Sequence, residues 1–222
     1  MKTYSIAIHG GAGTLVKGMM TPDLESQYKD ALRLALEAGY TFLEEGKTAI
    51  EAVEEAVRLL EDSHLFNAGK GSVFTATESH EMDASIMDGK TLNAGAVSLI
   101  TGIKNPVSLA RDVMEKSEHV FLAGDGAIQF AKELDYKLED ASYFYDEFRH
   151  KQWLEIKDTD SFQLDHAKKK DSKFGTVGAV ACDKDGNIAA ATSTSGMTNK
   201  KWGRAGDSPM IGAGNYANNK TC

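Results

Sequence analysis

A hairpin built from very small residues is the sequence feature that most restricts how this chain can fold. Residues 176–182, TVGAVAC, and residues 188–194, IAAATST, flank the segment DKDGN. The Asp185-Gly186 pair supplies the positive φ that a tight turn needs, so the two segments are predicted to be adjacent antiparallel strands. A strand of Gly, Ala and Val offers little side-chain surface, and we therefore expect both of its faces to be closely covered.

Strand and helix patterns alternate before this hairpin. Residues 4–8 predict a strand that runs into the glycine-rich loop HGGAGT, and a helical pattern follows between a cap at Asp23 and a stop at Gly46. Thr48 and Glu51 form a capping box for a second helix. Further predicted elements are strands over residues 83–87, 92–100 and 120–123, a helix capped by Asn105 and opened by Pro106 that runs to residue 115, and a helix over residues 127–134. Residues 137–172 show no clean period, and residues 156–172 are predicted to be a mobile loop or linker. This order predicts an α+β fold with sheets buried under helices.

Composition excludes several classes of function. The 222 residues are 41% apolar and suit one domain over 1–222, while the net charge of −8 gives no basic surface for nucleic acid. No window approaches the ~20 apolar residues of a membrane span. Cys182 and Cys222 match no metal-ligand spacing and are too few for a disulfide framework. We expect a cytoplasmic protein that binds neither nucleic acid nor membranes.

Three features near the first strands are weaker candidates for chemistry. The glycine loop lacks the spacings of nucleotide-binding loops, so a close backbone crossing is the better interpretation. His9 is a candidate base, although a histidine beside a turn is more often a structural hydrogen-bonding group. Asp83 and Asp88 have no neighbouring histidine and have a hairpin turn next to them, which favours structural roles over a metal or acid-base pair.

The Gly175-Thr176 pair points to a specific chemistry. An N-terminal threonine is a self-contained nucleophile, because its hydroxyl attacks while its own free amine takes the proton. At an internal position the chain must first be cut before the threonine, and a glycine there tolerates the contorted backbone that the cut requires. Downstream, Arg204 and Asp207 could bind the carboxylate and the ammonium of an α-amino acid, although a surface ion pair is the alternative.

Several motifs then occur in a familiar order. IAIHGGAGT, LFNAGKGSVFT, MDASIMDG and the segment from GTVGAVAC to GNYANN together resemble the plant-type L-asparaginase and isoaspartyl peptidase family of Ntn-hydrolases. The resemblance implies a four-layer αββα sandwich and a precursor that cleaves itself between Gly175 and Thr176. It implies an α subunit over 1–175 and a β subunit of which residues 176–222 are the start. It also implies an (αβ)2 assembly that hydrolyses β-aspartyl dipeptides and L-asparagine.

The resemblance also implies roles for individual residues. Thr176 matches the nucleophile, and Thr194 matches the second threonine, which hydrogen-bonds the nucleophile. Asn67 resembles the asparagine that lies against the nucleophile, while Arg204 and Asp207 match the pair that holds the substrate's α-carboxylate and α-amine.

A further segment resembles the family's sodium-binding loop, which uses mainly backbone carbonyl oxygens and suits a hard cation. We expect no required cofactor, but a structural sodium ion there. The expected donors are Leu60, Glu61, Ser63, Phe66, Ala68 and Lys70.

The end of the sequence departs from the family pattern. Family members continue past YANN into a strand and a Thr-Gly pair that supplies the oxyanion hole, whereas this sequence stops at Cys222. We therefore expect a sandwich that lacks its C-terminal part. Two alternatives stay open: a glycosylasparaginase-type amidase, which is usually cut after Asp rather than Gly, and an inactive truncated fragment.

Overall fold

A six-stranded sheet organises the computed structural model, which describes residues 3–12, 20–159 and 175–221. The strands are β1 (Ser5–His9), β2 (Met82–Asp88), β3 (Ala94–Ile100), β4 (Phe121–Ala123), β5 (Val177–Cys182) and β6 (Ile188–Thr194). Their order in the sheet is β1-β5-β6-β2-β3-β4. The helices are α1 (Pro22–Glu44), α2 (Ala49–Glu61), α3 (Pro106–Lys116), α4 (Gly124–Glu133), α5 (Ala141–Phe144) and α6 (Glu147–Leu154).

The predicted small-residue hairpin forms the second and third strands of this sheet. β5 pairs antiparallel with β6 in a register that sets Val177 opposite Ser193, and β1 pairs with the other edge of β5. β6 also pairs antiparallel with β2, and in this pair Ser85 lies opposite Thr192. The hairpin and the pairing of β2 with β3 are confirmed, and the start of β5 is brought next to the end of β6.

Helices cover one face of the sheet, where alternate strand residues form the main core. Val177, Ala179 and Ala181 of β5 are buried in that core with residues of α1, α2 and α3. Small strand residues let the helices approach closely: a Cβ added at Gly95 would lie 2.0 Å from the carbonyl oxygen of Ala110 in α3. The predicted α+β class is therefore confirmed.

The face of the sheet that lies opposite the helices differs from the prediction. We expected both faces of residues 176–182 to be covered, but Val180, which points away from the helices, is 54% exposed. A small second cluster around Met87 and Ala190 is covered by Ala217, while the β1 and β5 part of this face stays open. Within the described residues, the sheet and its helices form two of the four expected layers.

The helix starts show which capping signals the chain uses. The capping box of Thr48 and Glu51 is present, as predicted. The cap at Asp23 is wrong: the side chain of Thr21 accepts the N–H of Leu24, because Pro22 has no N–H and already occupies the first helical position. Asn105 precedes α3 but instead donates its amide to the Arg58 carbonyl oxygen and the Asp62 carboxylate.

Residues 137–159 are more regular than their sequence suggests, since α5 and α6 lie there. Asn199 donates to the carbonyl oxygens of Ile156 and Thr159 at 3.2 and 3.4 Å, which ties the segment after α6 to the loop after β6. The rest of the predicted linker, from residue 160 to 172, lies outside the described residues. The division into residues 1–175 and 176–222 stays a prediction. In the described ranges, no helix is both long and apolar enough to cross a membrane.

Candidate active site

A cavity of about 560 Å³ lies on the open face of the sheet. Its floor comes from β1, β5 and β6, and Thr176 directly precedes β5, where the floor meets the loop after β6. That loop contributes Asp207 and Ser208 to the wall. The floor consists mostly of small apolar residues, whereas Thr176, Asp207 and Ser208 bring polar groups to one part of the cavity.

The carbonyl oxygen of Gly175, just before Thr176, accepts two hydrogen bonds. The hydroxyl of Thr194 donates to it at 2.8 Å, and the side-chain amide of Asn67 donates at 3.2 Å. Thr194 and Asn67 are almost fully buried. Two donors on one carbonyl withdraw electrons from its carbon, which is the arrangement that stabilises a developing oxyanion.

Asn67 is held from several sides. Its amide also donates to the carbonyl oxygen of Gly196 at 2.7 Å, and its side-chain oxygen accepts the hydroxyl of Ser195 and the N–H of Val73. The N–H of Ser195 donates to the main-chain oxygen of Asn67. The loop before β2 and the end of β6 are thus locked together, so the Asn67 amide is fixed in orientation.

Arg204 and Asp207 lie close to these groups. A Cβ at Gly196 would lie 3.1 Å from a guanidinium nitrogen of Arg204, and one at Gly206 would lie 3.2 Å from the same nitrogen. The guanidinium therefore packs against two glycines, and Gly196 has the positive φ of +77° that favours glycine. Asp207 is exposed in the cavity wall that Thr176 shares.

The glycine-rich loop after β1 makes the close backbone approach that we predicted. Gly11 has φ +113°, and a Cβ there would lie 3.5 Å from the Cα of Gly175 and 3.6 Å from the nitrogen of Thr176. His9 lines the same cavity as Thr176, and the structural role that the sequence favours for it stays a prediction.

Asp83 and Asp88 have structural contacts. Asp83 is fully buried and accepts the Ser98 hydroxyl and the Leu99 N–H, while Asp88 accepts the Lys90 N–H in the turn. Among the described residues, no group of three or more His, Cys, Asp and Glu side chains could hold a metal ion.

The predicted cation loop connects α2 to the short 3₁₀ helix Gly69–Gly71. Three of its expected donor carbonyls, those of Leu60, Phe66 and Ala68, each accept a main-chain N–H within the loop. A carbonyl oxygen has a second lone pair, so these bonds leave room for a cation. Lys70 is exposed, with its ammonium 5.5 Å from the Tyr143 ring centre.

Glu61, another expected donor, has a fully buried side chain. Burial raises the pKa of its carboxyl to about 8, although the N–H of Val107 donates to it at 2.9 Å. A Cβ at Gly69 would lie 2.4 Å from the carbonyl oxygen of Glu61. The loop folds tightly on the end of α2.

The structure adds one residue that sequence reasoning missed. The Ser208 hydroxyl lies 3.4 Å from the Thr176 hydroxyl. The sequence places Ser208 directly after Asp207, but only the fold brings its hydroxyl to Thr176.

The comparisons with known proteins identify the family of this chain. A family model described as asparaginase matches residues 2–222. The chain belongs to the asparaginase family. Among the curated relatives, the isoaspartyl peptidase of Escherichia coli is 50% identical over 217 residues, which cover 96% of this chain and 68% of the relative. The plant-type L-asparaginase of Pyrococcus abyssi is 46% identical over 223 residues, which cover 96% and 70% of the two chains.

A vertebrate relative extends the comparison. The isoaspartyl peptidase/L-asparaginase of Xenopus laevis is 45% identical over 215 residues, covering 96% of this chain and 66% of the relative. The roles of Thr176, Thr194, Asn67, Arg204 and Asp207 in this chain stay predictions.

Proposed function

We propose that this chain is a threonine-nucleophile amidohydrolase that first cuts itself between Gly175 and Thr176. The mature enzyme then hydrolyses the β-aspartyl amide bond of isoaspartyl dipeptides and L-asparagine and releases L-aspartate. The observation that carries the proposal is the convergence of Thr194 and Asn67 on the carbonyl oxygen immediately before Thr176. The names of the asparaginase-family relatives support the substrate class.

Self-cleavage is an internal acyl transfer. The Thr176 hydroxyl oxygen attacks the Gly175 carbonyl carbon, and negative charge develops on the oxygen that Thr194 and Asn67 contact. The C–N bond breaks as the hydroxyl proton passes to the Thr176 nitrogen, which leaves an ester. Water hydrolyses the ester to a Gly175 carboxylate and a Thr176 residue with a free amine and a free hydroxyl.

Substrate hydrolysis uses the same hydroxyl. The new amine of Thr176 takes the hydroxyl proton while the oxygen attacks the side-chain carbonyl of the substrate. Ammonia or an amino acid leaves with a proton, and water then releases aspartate from the acyl-enzyme. Arg204 binds the α-carboxylate through its planar fork of N–H groups, and Asp207 binds the α-ammonium.

Three further features belong to the proposal. A sodium ion held by carbonyl oxygens of residues 60–70 would stiffen the loop that carries Asn67, since a hard cation prefers oxygen ligands. An (αβ)2 assembly and a cytoplasmic location complete the proposed enzyme. Size measurement with light scattering tests the assembly, because a mass of one protomer would contradict it.

The decisive experiment follows the fate of the chain at Thr176. Purified protein should separate into two fragments, and mass spectrometry should place a new N-terminus at Thr176. Thr176→Ala should leave one uncut chain without hydrolase activity, while Thr176→Ser should still cut. Thr101→Ala, at an exposed threonine, is the matched control and should behave as the unaltered protein.

The products separate the alternatives. Aspartate released from isoaspartyl dipeptide and from L-asparagine supports the proposal, whereas activity confined to glycosylated asparagine would indicate the glycosylasparaginase-type amidase. An unaltered chain that stays intact and inactive would contradict the proposal and support an inert fragment.

A further inference from the structure

The Ser208 hydroxyl lies beside the Thr176 hydroxyl but has no place in the proposed reaction so far. The two oxygens are 3.4 Å apart, which is a long hydrogen bond. Ser208 is only 2% exposed. Hydrogen bonds at catalytic groups are often long in the resting state and shorten as the reaction begins, so the distance is compatible with a functional contact.

The backbone of Ser208, rather than its side chain, attaches this residue to the sheet. Its carbonyl oxygen accepts the hydroxyls of Ser85 at 2.6 Å and Thr192 at 2.9 Å, two residues that lie opposite each other on β2 and β6. Among the described contacts, the Ser208 hydroxyl bonds only to Thr176 and takes no part in this attachment. A substitution that removes only the hydroxyl should therefore leave the loop in place.

The chain that follows is itself attached to the sheet and packs against the loop. Asn215 donates its amide to the Ser85 hydroxyl at 3.1 Å and to the carbonyl oxygen of Ala190 at 3.3 Å. Gly214 lies so close to the loop that an added Cβ would be 2.3 Å from the Asp207 carbonyl oxygen. These contacts restrict the main chain at Asp207 and Ser208, so the serine hydroxyl is presented to Thr176 from a rigid support.

We propose that Ser208 is a positioning residue that orients the hydroxyl of Thr176 for attack. This inference rests on the proposed function, because it concerns the same nucleophile. Thr194 and Asn67 hold the carbonyl that is attacked, and Ser208 holds the attacking oxygen on its other side. A threonine hydroxyl can occupy several rotamers about χ1, and a hydrogen bond from a fixed partner favours one of them. The same contact orients Thr176 for hydrolysis after the chain is cut.

The test measures the self-cleavage rate of freshly purified, uncut chains at 25 °C by denaturing gel. Ser208→Ala removes the hydroxyl, and Ser208→Cys keeps its approximate volume but donates weakly. Each should slow cleavage about tenfold, the usual scale for one lost hydrogen bond. Ser98→Ala, which removes another buried serine hydroxyl, one bonded to Asp83, is the matched control and should cleave at the unaltered rate.

The kinetic constants of the mature enzyme distinguish a positioning role of Ser208 from a general loss of order in the active site. After prolonged incubation has completed cleavage, Ser208→Ala should have a kcat about tenfold lower and a KM within twofold of the unaltered enzyme, because the groups that bind the substrate head group are kept. A rise in KM with unchanged kcat would overturn the inference.

The outcomes distinguish this inference from the proposed function. If the unaltered chain never cuts itself, both are wrong. If it cuts and both Ser208 variants cut at the same rate, only the role of Ser208 is wrong. If Ser208→Ala does not fold, the Ser208→Cys rate decides.

Discussion

The hydroxyl oxygen of Thr194 lies 2.8 Å from the carbonyl oxygen of Gly175. The direction of this bond is set by a third group, because the N–H of Gly196 donates to the same hydroxyl at 3.0 Å. With that N–H on its lone pair, the Thr194 hydroxyl turns its proton to the carbonyl, and linked hydrogen bonds strengthen each other. The bond before Thr176 is thus polarised while the chain is still continuous.

Thr194→Val tests this polarisation. Valine has nearly the same shape but no hydroxyl, so the Gly175 carbonyl keeps only the Asn67 amide as a described donor. Removal of one oxyanion donor costs on the order of 10²-fold in rate. We expect self-cleavage to slow by about that factor, measured from the fraction of uncut chain over time.

The control for this variant is Thr198→Val, at a threonine that is also buried but takes no part in the described contacts with Gly175. It should cut at the unaltered rate. Equal rates for Thr194→Val and the unaltered protein would show that the Thr194 hydroxyl does not assist the acyl transfer.

Gly71→Ala tests the packing behind Asn67. A Cβ at Gly71 would lie 2.1 Å from the carbonyl oxygen of Phe66 and 2.6 Å from that of His64, so the loop must move. Overpacking of this kind destabilises proteins by about 1 to 3 kcal/mol. We expect a lower free energy of unfolding in urea together with slower self-cleavage, because the displaced loop carries Asn67.

Gly126→Ala is the matched control, because a Cβ there meets nothing within 4 Å. Alanine inside α4 should leave stability unchanged or raise it by up to about 1 kcal/mol. If both variants unfold at the same urea concentration, the tight contacts of Gly71 do not restrict the loop.

The buried carboxyl of Glu61 predicts a pH dependence of stability. Burial raises its pKa to about 8 in the folded protein, above the ordinary value of 4.5. The folded state therefore binds this proton more tightly than the unfolded state does. The stability that the bound proton contributes is fully present below pH 4.5 and is lost as the pH rises toward 8. The loss amounts to about 1.4 kcal/mol per pH unit within that window.

Glu61→Gln removes the titrating group and keeps the acceptor for the Val107 N–H. The difference in unfolding free energy between the variant and the unaltered protein should shift in favour of Gln by that slope between pH 5 and pH 8. Urea unfolding at constant sodium concentration measures it. A difference that is the same at pH 5 and pH 8 would contradict the raised pKa.

Much of the sheet was predictable from local patterns. The Asp185-Gly186 turn and the alternation of small residues located β5 and β6, and the capping box of Thr48 and Glu51 located α2. The open face around Val180 was not predictable, because a run of small apolar residues is compatible with cover on either side. The predicted cap of α1 is wrong because Asp23 and Thr21 are both good caps, and only Pro22 decides between them.

The candidate site likewise contains residues that the sequence predicts and one that it does not. Thr176 was found from its chemistry, and Asn67 and Thr194 were found only from the family resemblance, since they lie far apart in sequence. Their shared contact with the Gly175 carbonyl depends on the pairing of β5 with β6. Ser208 was missed because a serine in a loop carries no pattern of its own, and only the fold brings it to Thr176.

The last prediction separates substrate binding from self-cleavage. Asp207 lines the cavity, while the described hydrogen bonds to the Gly175 carbonyl come from other residues. Asp207→Asn removes the charge that pairs with the substrate ammonium, so KM for L-asparagine should rise at least tenfold while the chain cuts itself at the unaltered rate. Hydrogen bonds to charged groups are worth about 1.5 to 3 kcal/mol, which sets this scale. Asp125→Asn, at an exposed aspartate of α4, is the control and should change neither quantity. An unchanged KM in Asp207→Asn would mean that another group binds the ammonium, whereas a block in self-cleavage would place Asp207 in the acyl transfer itself.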